Sequence, residues 1–195
     1  MIVGLTGILQ VLNPDGIVLK IGGVSMKLLV PTSNLSGLGE PGTQVHLYTH
    51  LQVTDDSLNL YGFAEEAGLK MFELLLTVGG VGPRVALGIL SAMEPEVIGK
   101  AIVLEDSDTL SKAPGIGKRT AGRIILELRD RLDRETIGTE PSVIALDGEV
   151  VAALRGLGYT DSESRAVMRD LPTDKTLNLE DRIRQVLQQL GSHGG

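Results

Sequence analysis

Cysteine and tryptophan are both missing from this 195-residue chain, and aromatic residues make up only 3% of it. Without cysteine there is neither a disulfide framework nor a thiolate metal site. No apolar run approaches the roughly 18 residues of a membrane span. The opening residues M-I-V-G-L-T-G-I-L lack the charged start and cleavage site of a secretory signal. These absences predict a cytoplasmic protein with no membrane partner. Hydrophobic residues at 42% are ample for packed cores, and the length suits one large domain or two to three small ones.

Positive charge is also short in sum, with 18 Lys and Arg against 25 Asp and Glu. An even spread of the resulting net charge of −7 would argue against nucleic acid. The spread is uneven. Residues 94–108 carry five acids and one lysine, whereas residues 112–131 carry six bases and two acids. That second stretch is an electrostatic footprint hidden by the total.

Residues 1–63 read as a small all-β domain. Gly4 and Gly7 interrupt the apolar first stretch and suit a strongly curved strand. Asn13-Pro14-Asp15-Gly16 is a turn, followed by strands over 17–21 and 24–30. Val45, Leu47, Thr49, Leu51 and Val53 alternate with polar partners, the period of a half-buried strand. Asp55-Asp56 forms a turn before residues 58–63 return. Five short curved strands predict an OB-like barrel. A barrel that stacks bases would need aromatic platforms. Only Tyr48, Tyr61 and Phe63 are present, and closure of the barrel buries the last two.

Residues 64–132 read as helical and contain an internal repeat. A shift of 35 places Gly80 on Gly115, Val81 on Ile116, Gly82 on Gly117, Arg84 on Arg119, Ala86 on Ala121 and Ile89 on Ile124. Each copy is a glycine hairpin feeding a helix. Such a turn brings the backbone close to a ligand, and the helix that follows points its unpaired N–H groups and positive dipole end outward. Gly80, Gly82, Gly115 and Gly117 form the turns. Arg84, Lys118, Arg119 and Arg123 stand where they neutralise flanking phosphates. Backbone donors and cations read phosphate and not bases, so binding is expected to be sequence-independent and salt-sensitive. The alternative is that both turns are plain helix connectors.

Nucleotide-binding motifs fail. A P-loop ending at Gly117-Lys118 needs Gly at 112 and Ser or Thr at 119, where Lys112 and Arg119 stand. A dinucleotide fingerprint from Gly115 meets Thr120 and has no preceding strand. His46, His50 and His193 have no evident metal-ligand partners, so neither metal nor cofactor is expected. Asp55-Asp56 alone suits a nuclease metal pair or, more simply, a turn.

Residues 133–145 mix charge, Gly138 and Pro141 without periodicity and read as a flexible linker. Residues 146–195 read as a three-helix domain. Its first helix carries Val150, Val151, Leu154 and Leu157. A Thr160/Glu163 capping box opens the second, which carries Ala166, Val167 and Leu171. Asn178 opens the third, with Leu179, Ile183, Val186, Leu187 and Leu190.

The segments G-G-V-S-M-K, T-H-L-Q-V-T-D-D-S-L-N-L-Y-G-F, G-V-G-P-R-V-A-L-G-I-L, P-G-I-G-K-R-T-A and A-A-L-R-G-L-G-Y closely resemble the RuvA family of bacterial Holliday-junction branch-migration proteins. The resemblance runs along essentially the whole chain and implies an α+β multidomain fold: OB barrel, tandem helix-hairpin-helix, linker, and a small UBA-like helical domain. It implies a homotetramer, or an octamer of two facing tetramers, that holds four-way junction DNA open. The implied partners are the RuvB hexameric ATPase and the RuvC resolvase, with ATP hydrolysis left to RuvB. Asp55 and Asp56 match the family's acidic pin, and Leu154, Leu157 and Tyr159 match the end of its partner-contacting helix. The chain departs from the family pattern at Gly79, where a polar side chain is common, at Thr54, where a basic one is, and at Gly122, often Glu. A helix-hairpin-helix nuclease or glycosylase and a pure protein adaptor are the rival readings.

Overall fold

The computed structural model describes residues 2–14, 16–135, 143–171 and 179–192. Two compact units are present, Met1–Pro95 with Asp108–Arg123, and Glu96–Ser107 with Ile124–Gly195.

In the first unit, β1 (Gly4–Asn13), β2 (Gly16–Ile21), β3 (Val24–Leu28), β4 (Gln44–Val53) and β5 (Leu58–Phe63) form one antiparallel sheet in the order β3-β2-β1-β4-β5. The outer strands then meet. Leu29 and Tyr61 form a parallel bridge, in which the Leu29 N–H donates to the Leu60 carbonyl and the Gly62 N–H to the Leu29 carbonyl, both at 2.8 Å. This closes the sheet into the expected barrel. Its curl comes from a register shift between Leu9 and Val11 and from Gly7, which lies too close to the Lys20 carbonyl to admit a Cβ. Leu9, Ile17, Leu19, Leu28 and Leu47 fill the interior.

Tyr61 and Phe63 are buried, but not by closure of the barrel: Leu60 joins the barrel core, whereas the two rings face the other way and pack on Phe72, with centroids 4.9 and 5.0 Å away. The alternation in β4 buries Leu47 and Thr49 but fails at Val53, which is 65% exposed. Val53 pairs with the equally bare Leu58 where the β4–β5 ribbon runs beyond the core.

The short helix α1 (Thr32–Leu35) follows the barrel strand β3, and α2 (Glu66–Leu76) and α3 (Pro83–Ala92) complete this part of the unit. α2 buries Met71, Phe72 and Leu75, and α3 buries Ala86, Ile89 and Leu90. Two hydrogen bonds join α1 to α3: the Ser33 hydroxyl donates to the Leu90 carbonyl and the Thr32 N–H to the Ser91 hydroxyl, each at 3.0 Å. Next in the chain come α4 (Pro95–Val103), α5 (Ser107–Leu110) and α6 (Lys118–Glu135).

The remaining helices are α7 (Val143–Gly156), α8 (Asp161–Asp170) and α9 (Leu179–Ser192). α6 continues past Leu132 into the stretch expected to be linker, because Arg134 and Glu135 favour helix. α7 likewise starts before the stripe at Val150. The middle of the expected linker, Asn178 and His193 lie outside the described residues.

The second unit packs Leu104, Val150, Val151, Leu154, Met168, Leu171 and Val186 together. The capping box forms as expected, with the Thr160 N–H donating to Glu163 at 2.9 Å and the Glu163 N–H to Thr160 Oγ1 at 3.3 Å. Leu171 is buried and Val167 packs on the core as expected, but Ala166 points outward and Ser164 and Met168 point inward instead. Ser164 tolerates burial because its hydroxyl donates to the Thr160 carbonyl at 3.0 Å.

Two polar clusters hold this unit. Arg182 and Asp147, both about 1% exposed, pair at 3.3 Å. Burial raises the Asp147 carboxyl above its ordinary range, against the pull of Arg182 and Lys100. Glu105 has a φ of 55° and is the one non-glycine with positive φ among the described residues. It accepts from Arg129, and from Arg165 at 2.6 Å.

Candidate nucleic-acid interface

The repeat seen in the sequence recurs bond for bond in the backbone. In the first hairpin the N–H groups of Thr77, Val78, Val81 and Ala86 donate to the carbonyls of Leu74, Leu75, Val78 and Gly82 at 2.9–3.1 Å. In the second, Lys112, Ala113, Ile116 and Ala121 donate to Thr109, Leu110, Ala113 and Gly117 at 3.0–3.2 Å. The apolar residues at each turn, Val78 and Val81 or Ala113 and Ile116, are buried and pin the loop from beneath.

Gly80 and Gly115 occupy the left-handed region at φ 85° and 82°, where a side chain is disfavoured. Gly82 and Gly117 do a different job. Both are exposed, and a Cβ built on either would find no atom within 4 Å. The backbone is therefore open to an incoming group. Immediately after them α3 begins at Pro83 and α6 at Lys118, each offering first-turn N–H groups that no helical carbonyl satisfies. Pro83 has no N–H, so the first copy presents one donor fewer, while the second has a lysine there.

The cations around these turns are all exposed, but they are not equivalent. Lys118 pairs with Asp108 at 3.3 Å, a surface contact of low strength. Arg123 donates to the Gly79 carbonyl at 2.8 Å, tying the helix of the second hairpin to the turn of the first. Arg84 and Arg119 form no ion pair among the described residues, and neither does Lys112. Lys112 opens the basic run and is exposed. The fold adds its backbone role ahead of the second hairpin, its N–H donating to the Thr109 carbonyl at 3.1 Å.

Asp55 and Asp56 sit exposed at the tip of the β4–β5 ribbon. Thr54 does not charge this tip but closes it, its N–H donating to the Ser57 carbonyl at 2.9 Å and its hydroxyl meeting that of Ser57 at 2.8 Å. No group of three or more metal-ligating side chains occurs among the described residues. His46 meets Thr6 Oγ1 at 2.9 Å. His50 has a carboxylate partner that the sequence did not reveal, Glu73 of α2, also at 2.9 Å. In the second unit Leu154 is fully buried, Tyr159 is half-buried against the same core, and Leu157 is 61% exposed. No helix among the described residues is long and apolar enough to cross a membrane.

An OB-type barrel, two matched helix-hairpin-helix turns and a small helical unit make this an α+β protein of the tandem helix-hairpin-helix class. Comparison with known proteins narrows the class. The RuvA N terminal domain family matches residues 1–62, the SAM-like helix-hairpin-helix tandem family residues 72–130, and the RuvA C-terminal domain family residues 146–191. A relative from Thermomicrobium roseum is 44% identical over 192 residues, covering 97% of this chain and 98% of its own length. Relatives from Herpetosiphon aurantiacus and Chloroflexus aurantiacus are each 42% identical, covering 98% of this chain and 99% and 100% of their own lengths. All three are named Holliday junction branch migration complex subunit RuvA. The chain belongs to the RuvA family.

Proposed function

We propose that this chain is the DNA-binding subunit of a Holliday junction branch migration complex. It grips the arms of a four-way junction through the phosphate backbone and has no catalytic role of its own. The observation that carries this reading is the pair of hairpins with matching hydrogen bonds, each ending in open glycines at a helix N-terminus. Gly80, Gly82 and Arg84 form one grip, and Gly115, Gly117, Lys118 and Arg119 the other, with Arg123 between them. Four copies around the acidic tips of Asp55 and Asp56 hold the junction open and planar. Carboxylates at the crossover repel phosphates there and steer each strand into its new duplex. A hexameric ATPase of the RuvB kind supplies the motor and docks on the C-terminal helical domain, where Leu157 is the exposed anchor and Tyr159 its flank. The protein works in the cytoplasm, and a resolvase of the RuvC kind acts on the same junction.

A gel-shift comparison of four-way junction and linear duplex across a salt series tests this. The expected result is preference for the junction, with log affinity falling against log salt by about 0.9 per phosphate contacted. Adding the motor and ATP should then move the branch point. Equal, weak and salt-insensitive binding to both DNAs would favour a protein adaptor instead.

A further inference from the structure

A cleft of about 430 Å3 opens beside the first hairpin, between the barrel and α3. Buried Tyr61 lines it, its ring packed on Phe72. Two cations reach it from different elements, Lys27 from β3 and Arg84 from the first turn of α3. No carboxylate among the described residues lines it, in a chain whose net charge is −7. Neither Lys27 nor Arg84 forms an ion pair among the described residues. Two cations that face one cleft without an ion pair among the described residues repel each other, and an anion would relieve this.

The Ser91 hydroxyl of the lining is already engaged. Ser91 Oγ donates to the Leu87 carbonyl at 2.8 Å and accepts from the Thr32 N–H at 3.0 Å. The two cations are the charged groups that the lining offers a ligand. Burial raises the Tyr61 phenol above its ordinary range despite Arg84 nearby, so it stays neutral and is no rival anion. A free nucleotide would want an aromatic face for its base, and the ring of Tyr61 is taken up by Phe72. A phosphodiester needs only the cations. Arg84 belongs both to the first hairpin and to this cleft, so one strand can run from one to the other.

We infer that the cleft is an additional seat for the DNA backbone, in which Lys27 and Arg84 hold a phosphodiester and carry the strand from the first hairpin onto the barrel. The inference rests on the junction-binding reading above and assigns Lys27 a role that the hairpins do not require.

Lys27→Ala in the full-length protein, measured on a four-way junction across sodium chloride concentrations, tests it. Losing one phosphate contact should flatten the salt slope by about 0.9 and weaken binding roughly eightfold at about 0.1 M salt. Lys27→Arg should retain both, and Lys20→Ala, on the neighbouring strand but outside the cleft, should change neither. An unchanged slope for Lys27→Ala beside a steep wild-type slope would overturn the seat and leave the junction reading standing. A flat wild-type slope would overturn both. A change in the sedimentation of Lys27→Ala without DNA would assign the cations to a second copy of the chain and overturn the seat.

Discussion

Arg123 donates to the main-chain carbonyl of Gly79 at 2.8 Å, so a basic residue of the second hairpin's helix braces the turn of the first. A guanidinium has donors to spare after one such bond and can still face a phosphate. Arg123 thus couples the two grips as well as adding charge. Arg123→Ala should speed hydrogen exchange at the Val78 and Val81 amides by roughly twofold to tenfold, as loss of one exposed hydrogen bond implies. Arg123→Lys separates the roles. If charge is all that matters, lysine restores junction affinity without restoring protection. If the brace matters, neither returns.

The four hairpin glycines should divide into two pairs. Gly80→Ala and Gly115→Ala force a side chain into the left-handed region, and each should cost about 1–2 kcal/mol, read as a lower melting temperature. Gly82→Ala and Gly117→Ala meet no neighbour and need no such backbone. Their stability should stay within about 0.5 kcal/mol of wild type while junction affinity drops. Wild-type affinity in the second pair would mean that the backbone there is not approached closely. Gly122 is a further case: it is exposed in α6 with open space around it, so Gly122→Ala should stabilise by roughly 1 kcal/mol.

At the acidic tip, Asp55→Asn together with Asp56→Asn should leave junction binding intact or tighten it while changing branch migration driven by the motor. Both side chains are exposed on a ribbon that projects beyond the barrel core, so the fold does not depend on their charge. A drop in junction affinity would contradict repulsion as their role.

The second unit should respond to acid through two carboxylates of opposite sense. Hydrogen bonds from the Thr160 side chain and N–H hold the Glu163 carboxyl below its ordinary range. That stabilisation is present above the unfolded-state pKa and lost as pH falls through the folded one. Glu163→Gln should therefore weaken the acid dependence of melting on the low-pH side. Asp147 has a raised pKa, so its contribution falls as pH rises from the unfolded to the folded value. Asp147→Ala removes a buried carboxylate partner of Arg182 and should destabilise this unit by up to about 3–5 kcal/mol, seen as its early melting with junction affinity kept.

Much of the fold can be read from local pattern because local chemistry decides it. The period of two in β4 and the turn residues around Pro14 foretell a closed barrel, whereas the burial of Tyr61 and Phe63 comes from Phe72 of α2, which lies outside the barrel pattern. The 35-residue repeat foretells two equivalent turns, since the same glycines and apolar residues impose the same backbone. Thr160 and Glu163 are near neighbours in the chain, so their capping box is a local matter too.

What the chain alone left open are relationships between residues distant in sequence. The basic run looks uniform as a string, yet folding pairs Lys118 with Asp108 and Arg129 with Glu105, turns Arg123 to Gly79, and leaves Arg119 and Lys112 without an ion pair among the described residues. Burial of Arg182 depends on Asp147, carried by another helix, which no helical period records. Lys27 and Arg84 share a cleft only because the barrel closes beside α3. Amino-acid type and spacing settle which backbone each segment adopts. Which charges are spent on the protein and which remain for a ligand depends on distances between segments, and only the tertiary structure sets those.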